Sequence, residues 1–483
     1  MFGNWRTGSA LAAALLLGLL APAMAHDRGE PGSSGGQNAQ ERLDRDLSRI
    51  DQRTAETAAR TAEERAKIES RAAEDPAKAA EDLAKLDADT AKEAQKIEED
   101  RTKAESDFTE EAAKEAEDAA RVDSSGEDGG NHGSSRDIAD LGSSEGADHD
   151  RDGFAVKPGE LVATSLTPDR QAAAEAAGFK VIGTERLEAL NRDIVHFAVP
   201  PGIELSRGLD QLRVLAPEAT VDLVHYYGLG LTAGEKGKPV RNRTIASGAA
   251  QPITVGLIDT AVAAHPALAA SRLIPWQVGA LPGAPLEHGT AVASLLATEG
   301  RGPIYSANIF RGPADRPFTS ADVIARALEW MIEHKVQTIN MSLAGPRNAV
   351  LDNLVRECLA RGYVIVAAAG NGGPTAPPAY PAALKGVIAV TAVDKDHRIY
   401  RYAQQGTYIT VAAPGVDVIA ANAQGGFARF TGTSFATPHI AGWIARCRSG
   451  GASATECQAR LKRSARDLGP AGFDNTYGFG LVD

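Results

Sequence analysis

Four side chains able to do chemistry stand where apolar strands should end or helices begin. Asp259 closes the run TVGLID, His288 opens HGTAVASLLA, Asn371 follows YVIVAAAG, and Ser434 lies in GTSFATPHIAG. A carboxylate at the end of a buried strand is costly to desolvate unless it is paired. A serine hydroxyl is a poor nucleophile until an imidazole takes its proton, and the imidazole needs a carboxylate to fix its tautomer and stabilise its cation. The oxyanion of a tetrahedral intermediate needs donors, which the Asn371 amide and the Ser434 backbone N–H could supply. Taken singly, each residue also has a structural reading: a turn or cap for Asp259, a cap for His288 or Ser434, a left-handed turn for Asn371 in GNGG. Taken together, an acid, an imidazole, an amide and a hydroxyl on one sheet edge are the set that acyl transfer requires.

The elements that would position these groups follow from hydrophobic periodicity. From residue 250 onward, apolar strands (ITVGLID, VQTINMSL, YVIVAAAG, GVIAVTAV, TYITVAAPG) alternate with helices (HGTAVASLLAT, SADVIARALEWMIEHK, VLDNLVRECLARG, and one starting near Ser434). Continuous apolar strands with crossover helices predict a doubly wound, mostly parallel α/β sheet, with ligands beyond the carboxyl ends of the strands. Ahead of it, residues 153–230 read as β-α-β-β-α-β, a small α+β domain of ferredoxin-like order: ELVATSL, TPDRQAAAEAAG, FKVIGTERL, RDIVHFAVP, ELSRGLDQLRVLAP and TVDLVHYY. Residues 231–249 then form a linker to the domain at 250–483.

The first 152 residues differ in kind. MFGNWRTGSALAAALLLGLLAPAMA carries one cation at Arg6, an apolar core over 10–20 and the small-residue pattern Ala23-Met24-Ala25, the form of a signal peptide over 1–25. That predicts a secreted or periplasmic protein with no transmembrane segment in the mature chain. Residues 26–122 are Ala/Glu-rich, and between 41 and 120 there are 25 acidic against 15 basic residues, an excess of ten out of a net −12. The spacing of Leu43, Leu47 and Ile50 suits a helix or weak coiled coil, while the lapse into Thr54, Thr57 and Thr61 leaves disorder equally open. Residues 123–152 have the composition of a flexible linker. Because the acidity belongs to one segment and the sequence pI is near 5.4, nucleic acid is not expected as a partner.

Of three cysteines, Cys447 and Cys457 flank RSGGASATE, a loop between two helices, and suit a disulfide closing a short hairpin in an oxidising compartment. Cys358 reads as a buried small hydrophobe.

The region 250–483 resembles the subtilisin-like serine proteases, the subtilase family. The order Asp259, His288, Ser434 is the subtilisin order, and VGLIDTAVAAHPAL, HGTAVASLLA, AAAGN, GTSFATPHIAG and YGFGLVD are each similar to a family motif. Ala261 and Ala291 stand where the family usually has Gly and His. The resemblance implies a serine endopeptidase acting on polypeptides. Ser342, Leu343, Ala344 and Gly345 would form an edge for an extended substrate, and Ala368, Ala369 and Gly370 the opposite wall, with Ala379 at the pocket floor. It also implies that the α+β domain is a prodomain, an intramolecular inhibitor whose tail VDLVHYYGLG crosses the active site and is cut after Tyr226 or Tyr227 by autoprocessing. No cofactor or metal ligand set is read, and no segment is assignable as a structural calcium loop. The oligomeric state is not specified. A subtilase fold kept for binding without turnover, or a ligase or esterase using the same acyl-enzyme, are the alternatives.

Overall fold

The computed structural model describes residues 147–229, 238–240, 251–278, 286–312 and 317–483, with scattered helical positions between 49 and 103. The signal peptide, the linker up to residue 146 and most of 231–249 lie outside the described residues. The chain divides into two compact units, Met1–Gly130 and Asn131–Asp483. In the first, the described positions in 49–71 and 78–103 are helical. Arg53 bonds Glu93 and, at 2.7 Å, Asp100, which lays the two helical stretches side by side. These ion pairs are open to solvent, which screens them, so they add little to stability.

The second unit begins with a short strand β1 (Asp148–His149) on the edge of β2 (Ala155–Thr164). There follow α1 (Pro168–Ala176), β3 (Lys180–Leu187), β4 (Arg192–Ala198), α2 (Leu205–Leu215) and β5 (Thr220–Gly228). The strands form an antiparallel sheet β5-β2-β4-β3. Helices α1 and α2 cover one face, where Ala174, Leu209 and Leu212 join one apolar cluster with Phe179 and with Phe197 of β4.

The remaining elements are β6 (Lys238–Val240), β7 (Val255–Asp259), β8 (Arg272–Gln277), α3 (Glu287–Glu299), β9 (Pro303–Asn308), β10 (Phe318–Ser320), α4 (Ala321–Glu333), β11 (Thr338–Met341), α5 (Ala349–Ala360), β12 (Val364–Ala368), β13 (Ile388–Val393), β14 (Ile409–Pro414), β15 (Val418–Ala421), β16 (Phe427–Phe430), α6 (Thr433–Ser449) and α7 (Ala454–Ser464). Seven of the strands make a parallel sheet in the order β14-β13-β12-β11-β7-β9-β8. Helices cover both faces, so β7 is buried at every residue, as its uninterrupted apolar sequence requires. On one face α3 and α6 contribute Val292, Leu296, Ile440 and Ile444. On the other, α4 presents Ile324, Ala327, Leu328 and Met331, one stripe at helical spacing, beside Leu354 and Val355 of α5.

The far face of the small sheet packs on α4 and α5. Val162, Ile194 and Val224 share one core cluster with Ile324, Leu328 and Leu351. Strand β10 joins the small sheet by pairing antiparallel with β5, so the two folds are continuous through hydrogen bonds as well as apolar contact. Polar groups at this junction are matched across it. Asp222 of β5 accepts the Ala349 N–H at 2.6 Å and so caps α5 from outside, and Arg192 pairs with Glu357 at 2.9 Å. Glu329 of α4 accepts the N–H groups of Ala189 and Leu190 in the β3–β4 turn. Burial pushes its carboxyl above the usual range, against the pull of those donors.

Cys447 and Cys457 are bonded between α6 and α7, closing a loop with a sequence separation of 10. Cys358 is buried, and desolvation raises its thiol to about 12, so it offers no thiolate for exchange. Reduction of the bridge is expected to lower stability by roughly 3 kcal/mol on loop-entropy grounds, read as a fall in melting temperature. A thiol reagent should find no reactive cysteine in the unreduced folded protein.

Candidate active site

The C-terminal ends of the parallel strands lie on one edge of the sheet. There Asp259, the last residue of β7, is fully buried, and its Oδ1 is 2.7 Å from His288 Nδ1. The same oxygen accepts the Thr260 N–H at 2.6 Å, which fixes the carboxylate plane. With Nδ1–H donating to Asp259, the lone pair of Nε2 faces the site, and Nε2 has no hydrogen-bond partner among the described residues. His288 occupies the first turn of α3, and that turn is held against β7 by the Gly289 N–H, which donates to Thr260 Oγ1 at 2.7 Å. A Cβ on Gly289 would come within 2.4 Å of the Thr260 carbonyl oxygen, so the approach requires glycine. The two substitutions relative to the family pattern fit this frame. Ala291 is wholly buried in the α3 core face, and the loop containing Ala261 is pinned by Thr290 Oγ1, which accepts the Ala263 N–H at 2.8 Å.

Ser434 is not the cap of its helix. Gly432 takes that position with φ +144°, and α6 begins at Thr433, placing Ser434 in the first turn with an N–H that lacks an intrahelical acceptor. Asn371 lies beyond β12, after Gly370 at φ +105°. Its Oδ1 accepts both the Thr433 N–H at 3.0 Å and the Thr433 hydroxyl at 2.9 Å. The amide orientation is thereby set, and Nδ2 is turned toward Gly432, where a Cβ would lie 3.1 Å from it. Ser434 and Asn371 are 2% and 9% exposed.

The end of β5 runs into this edge. Gly228 and Ala344 exchange both backbone hydrogen bonds at 2.9 Å, while on the other side Gly228, Tyr227 and Tyr226 pair with Phe318, Thr319 and Ser320. The chain segment is therefore held as a middle strand between two edges. Tyr227 is buried, its ring lies against Gly345 and its hydroxyl donates to the Pro346 carbonyl at 2.9 Å. Ser434 Oγ donates to the Leu229 carbonyl at 3.4 Å. Ser434 Oγ thus bonds the carbonyl of Leu229 and not that of Tyr226 or Tyr227.

The residues read from sequence divide by what they touch. Asp259 and His288 are bonded to each other, Asn371 to the turn before Ser434, and Ala344 and Gly345 contact the β5 tail. Leu343 turns into the core, and Ala369 is tied inward, its N–H to Val390 and its carbonyl to Tyr408 Oη at 2.8 Å. Ala379 sits 3.0 Å from where a Gly370 Cβ would be, next to the buried Gln404. Thr260, Thr433, Leu229 and Gln404 are not legible as site residues in the sequence, because their types carry no chemical signal until the contacts are known. Among the described residues no group of three or more His, Cys, Asp or Glu could hold a metal ion, and no helix is long and apolar enough to cross a membrane.

A parallel sheet with a buried Asp–His pair and a serine at a helix start defines a class of hydrolase, and comparison with known proteins gives the family. The Peptidase S8 model, the subtilase family, matches residues 250–480. Subtilisin BL of Lederbergia lenta is 32% identical over 246 residues, 48% of this chain and 88% of its own length. Subtilisin E of Bacillus subtilis (strain 168) is 30% identical over 256 residues, 48% of this chain and 64% of its own. Fervidolysin from Fervidobacterium pennivorans shares the fold, with TM-score 0.55 and 20% identity over 68% of this chain and 60% of that one. The chain belongs to the subtilase family, and it is a serine endopeptidase.

Proposed function

We propose that this precursor is inhibited by its own α+β domain and matures by cutting the chain just beyond β5. The observation that carries the reading is the course of β5: paired on both sides, it delivers the Leu229 carbonyl to Ser434. In catalysis Ser434 Oγ adds to the peptide carbonyl carbon while His288 Nε2 takes the hydroxyl proton. Asp259 Oδ1 stabilises the imidazolium so formed. The Ser434 N–H and Asn371 Nδ2 receive the oxyanion. His288 then protonates the departing amine, and water repeats the sequence on the acyl-enzyme. With Oγ turned to Leu229 O rather than to His288, the nucleophile is not yet primed in this arrangement. The Sec-type N-terminus supports export, with a secreted or periplasmic destination.

Processing is expected at the Leu229–Gly230 bond or the next one. N-terminal sequencing of the purified enzyme should begin at Gly230 or Leu231, and a start at Gly228, or at His26 with full activity, would sink the register. Asn371→Ala is expected to lower kcat by on the order of 100-fold to 1000-fold with little change in KM, a magnitude that comes from the equivalent loss in subtilisin itself. Kinetics on a peptide amide would test it, and a loss below about fivefold would remove Asn371 from the oxyanion role.

A further inference from the structure

We propose that the Ser342 side chain is a positioning residue for the nucleophile, replacing a helix hydrogen bond that Pro438 removes. In an α-helix the carbonyl of Ser434 should accept the N–H four residues on, but that residue is Pro438, inside α6, which has no N–H. The carbonyl does not stay orphaned: Ser342 Oγ, just past the end of β11, donates to it at 3.0 Å. Asn340 Nδ2 in turn donates to Ser342 Oγ at 2.9 Å, occupying the hydroxyl as acceptor and directing its single proton to Ser434. Asn340 and Ser342 lie two residues apart, on the same face, and both are wholly buried. The turn bearing the nucleophile is therefore pinned from two sides, at the Thr433 N–H by Asn371 and at the Ser434 carbonyl by Ser342. This role belongs to the hydroxyl and is separate from any contact of the Ser342 backbone with substrate. It rests on Ser434 being the nucleophile.

The test compares enzyme matured from the full chain for wild type, Ser342→Ala, Pro438→Ala and the double variant, with kcat expressed per active site titrated by a fluorophosphonate. Ser342→Ala leaves the carbonyl buried and unpaired, and is expected to lower kcat on the order of 10-fold to 100-fold while KM holds. Pro438→Ala restores an N–H four residues on, so the double variant should recover most of that loss. A purely structural serine would give no such rescue. Wild-type kcat in Ser342→Ala, or a loss that Pro438→Ala does not recover, overturns the proposal. If Ser342→Ala yields no folded protein, the double variant must fold and turn over, and its failure overturns the proposal equally. Fluorophosphonate uptake by Ser434→Ala would instead sink the nucleophile assignment, whereas loss of label there with an indifferent Ser342→Ala would sink only the positioning role.

Discussion

Ser434→Ala is expected to lower kcat by about a millionfold and to leave the precursor uncut, the size of loss recorded for the nucleophile or its base in subtilisin itself. In the proposed mechanism its hydroxyl oxygen forms the acyl bond, and among the described residues it is the hydroxyl that donates to the Leu229 carbonyl. The substitution removes one oxygen from a residue that is 2% exposed, so the helix start, set by Gly432 and Thr433, should persist. His288→Ala should give a loss of the same order, and the two should not add, because the hydroxyl and imidazole act as a unit. A peptide-amide assay on the purified protein and a gel of the full chain check both parts. Equal fragments from wild type and Ser434→Ala would mean that another protease does the cutting.

Asp259→Asn is expected to cost about 10⁴-fold in kcat with KM nearly unchanged, the order found when such a carboxylate is neutralised or removed in serine proteases, subtilisin among them. One oxygen, Oδ1, accepts from both His288 Nδ1 and the Thr260 N–H. An asparagine that keeps its carbonyl there preserves the geometry but offers no charge to the imidazolium. One that flips presents N–H to Nδ1, forces the proton onto Nε2 and removes the base. Either outcome predicts a large loss in kcat, and a loss under tenfold would show that His288 does not depend on this carboxylate.

The site was legible to the extent that chemistry and element ends coincide. An aspartate after four buried apolar residues and a histidine before a glycine at a helix start advertise themselves, and the parallel sheet follows from runs such as VGLID and VIVAA, buried on both faces. Strands β8 and β9 are not legible in the sequence, because RLIPWQ carries Pro275 and PIYSAN begins with Pro303, and proline within a run ordinarily demotes a strand. The serine of GTSFATPHIAG reads as a candidate cap, but the backbone gives that place to Gly432, whose φ strains any side chain there and whose Cβ would crowd Asn371 at 3.1 Å. The tail through the site was visible as sequence, but its register was not. That register depends on which residue meets Ala344, and it is Gly228 that exchanges both bonds there. Threonines 260 and 433 were silent because a hydroxyl that orients a neighbour looks, in sequence, like any other.

We propose that Ser434, served by His288, is the nucleophile of the enzyme. Fluorophosphonate labelling followed by peptide mapping tests it most directly. One adduct on Ser434 is expected, formed rapidly in the wild type, far more slowly in His288→Ala and not at all in Ser434→Ala. An adduct on another residue, or labelling of Ser434→Ala at the wild-type rate, would contradict it.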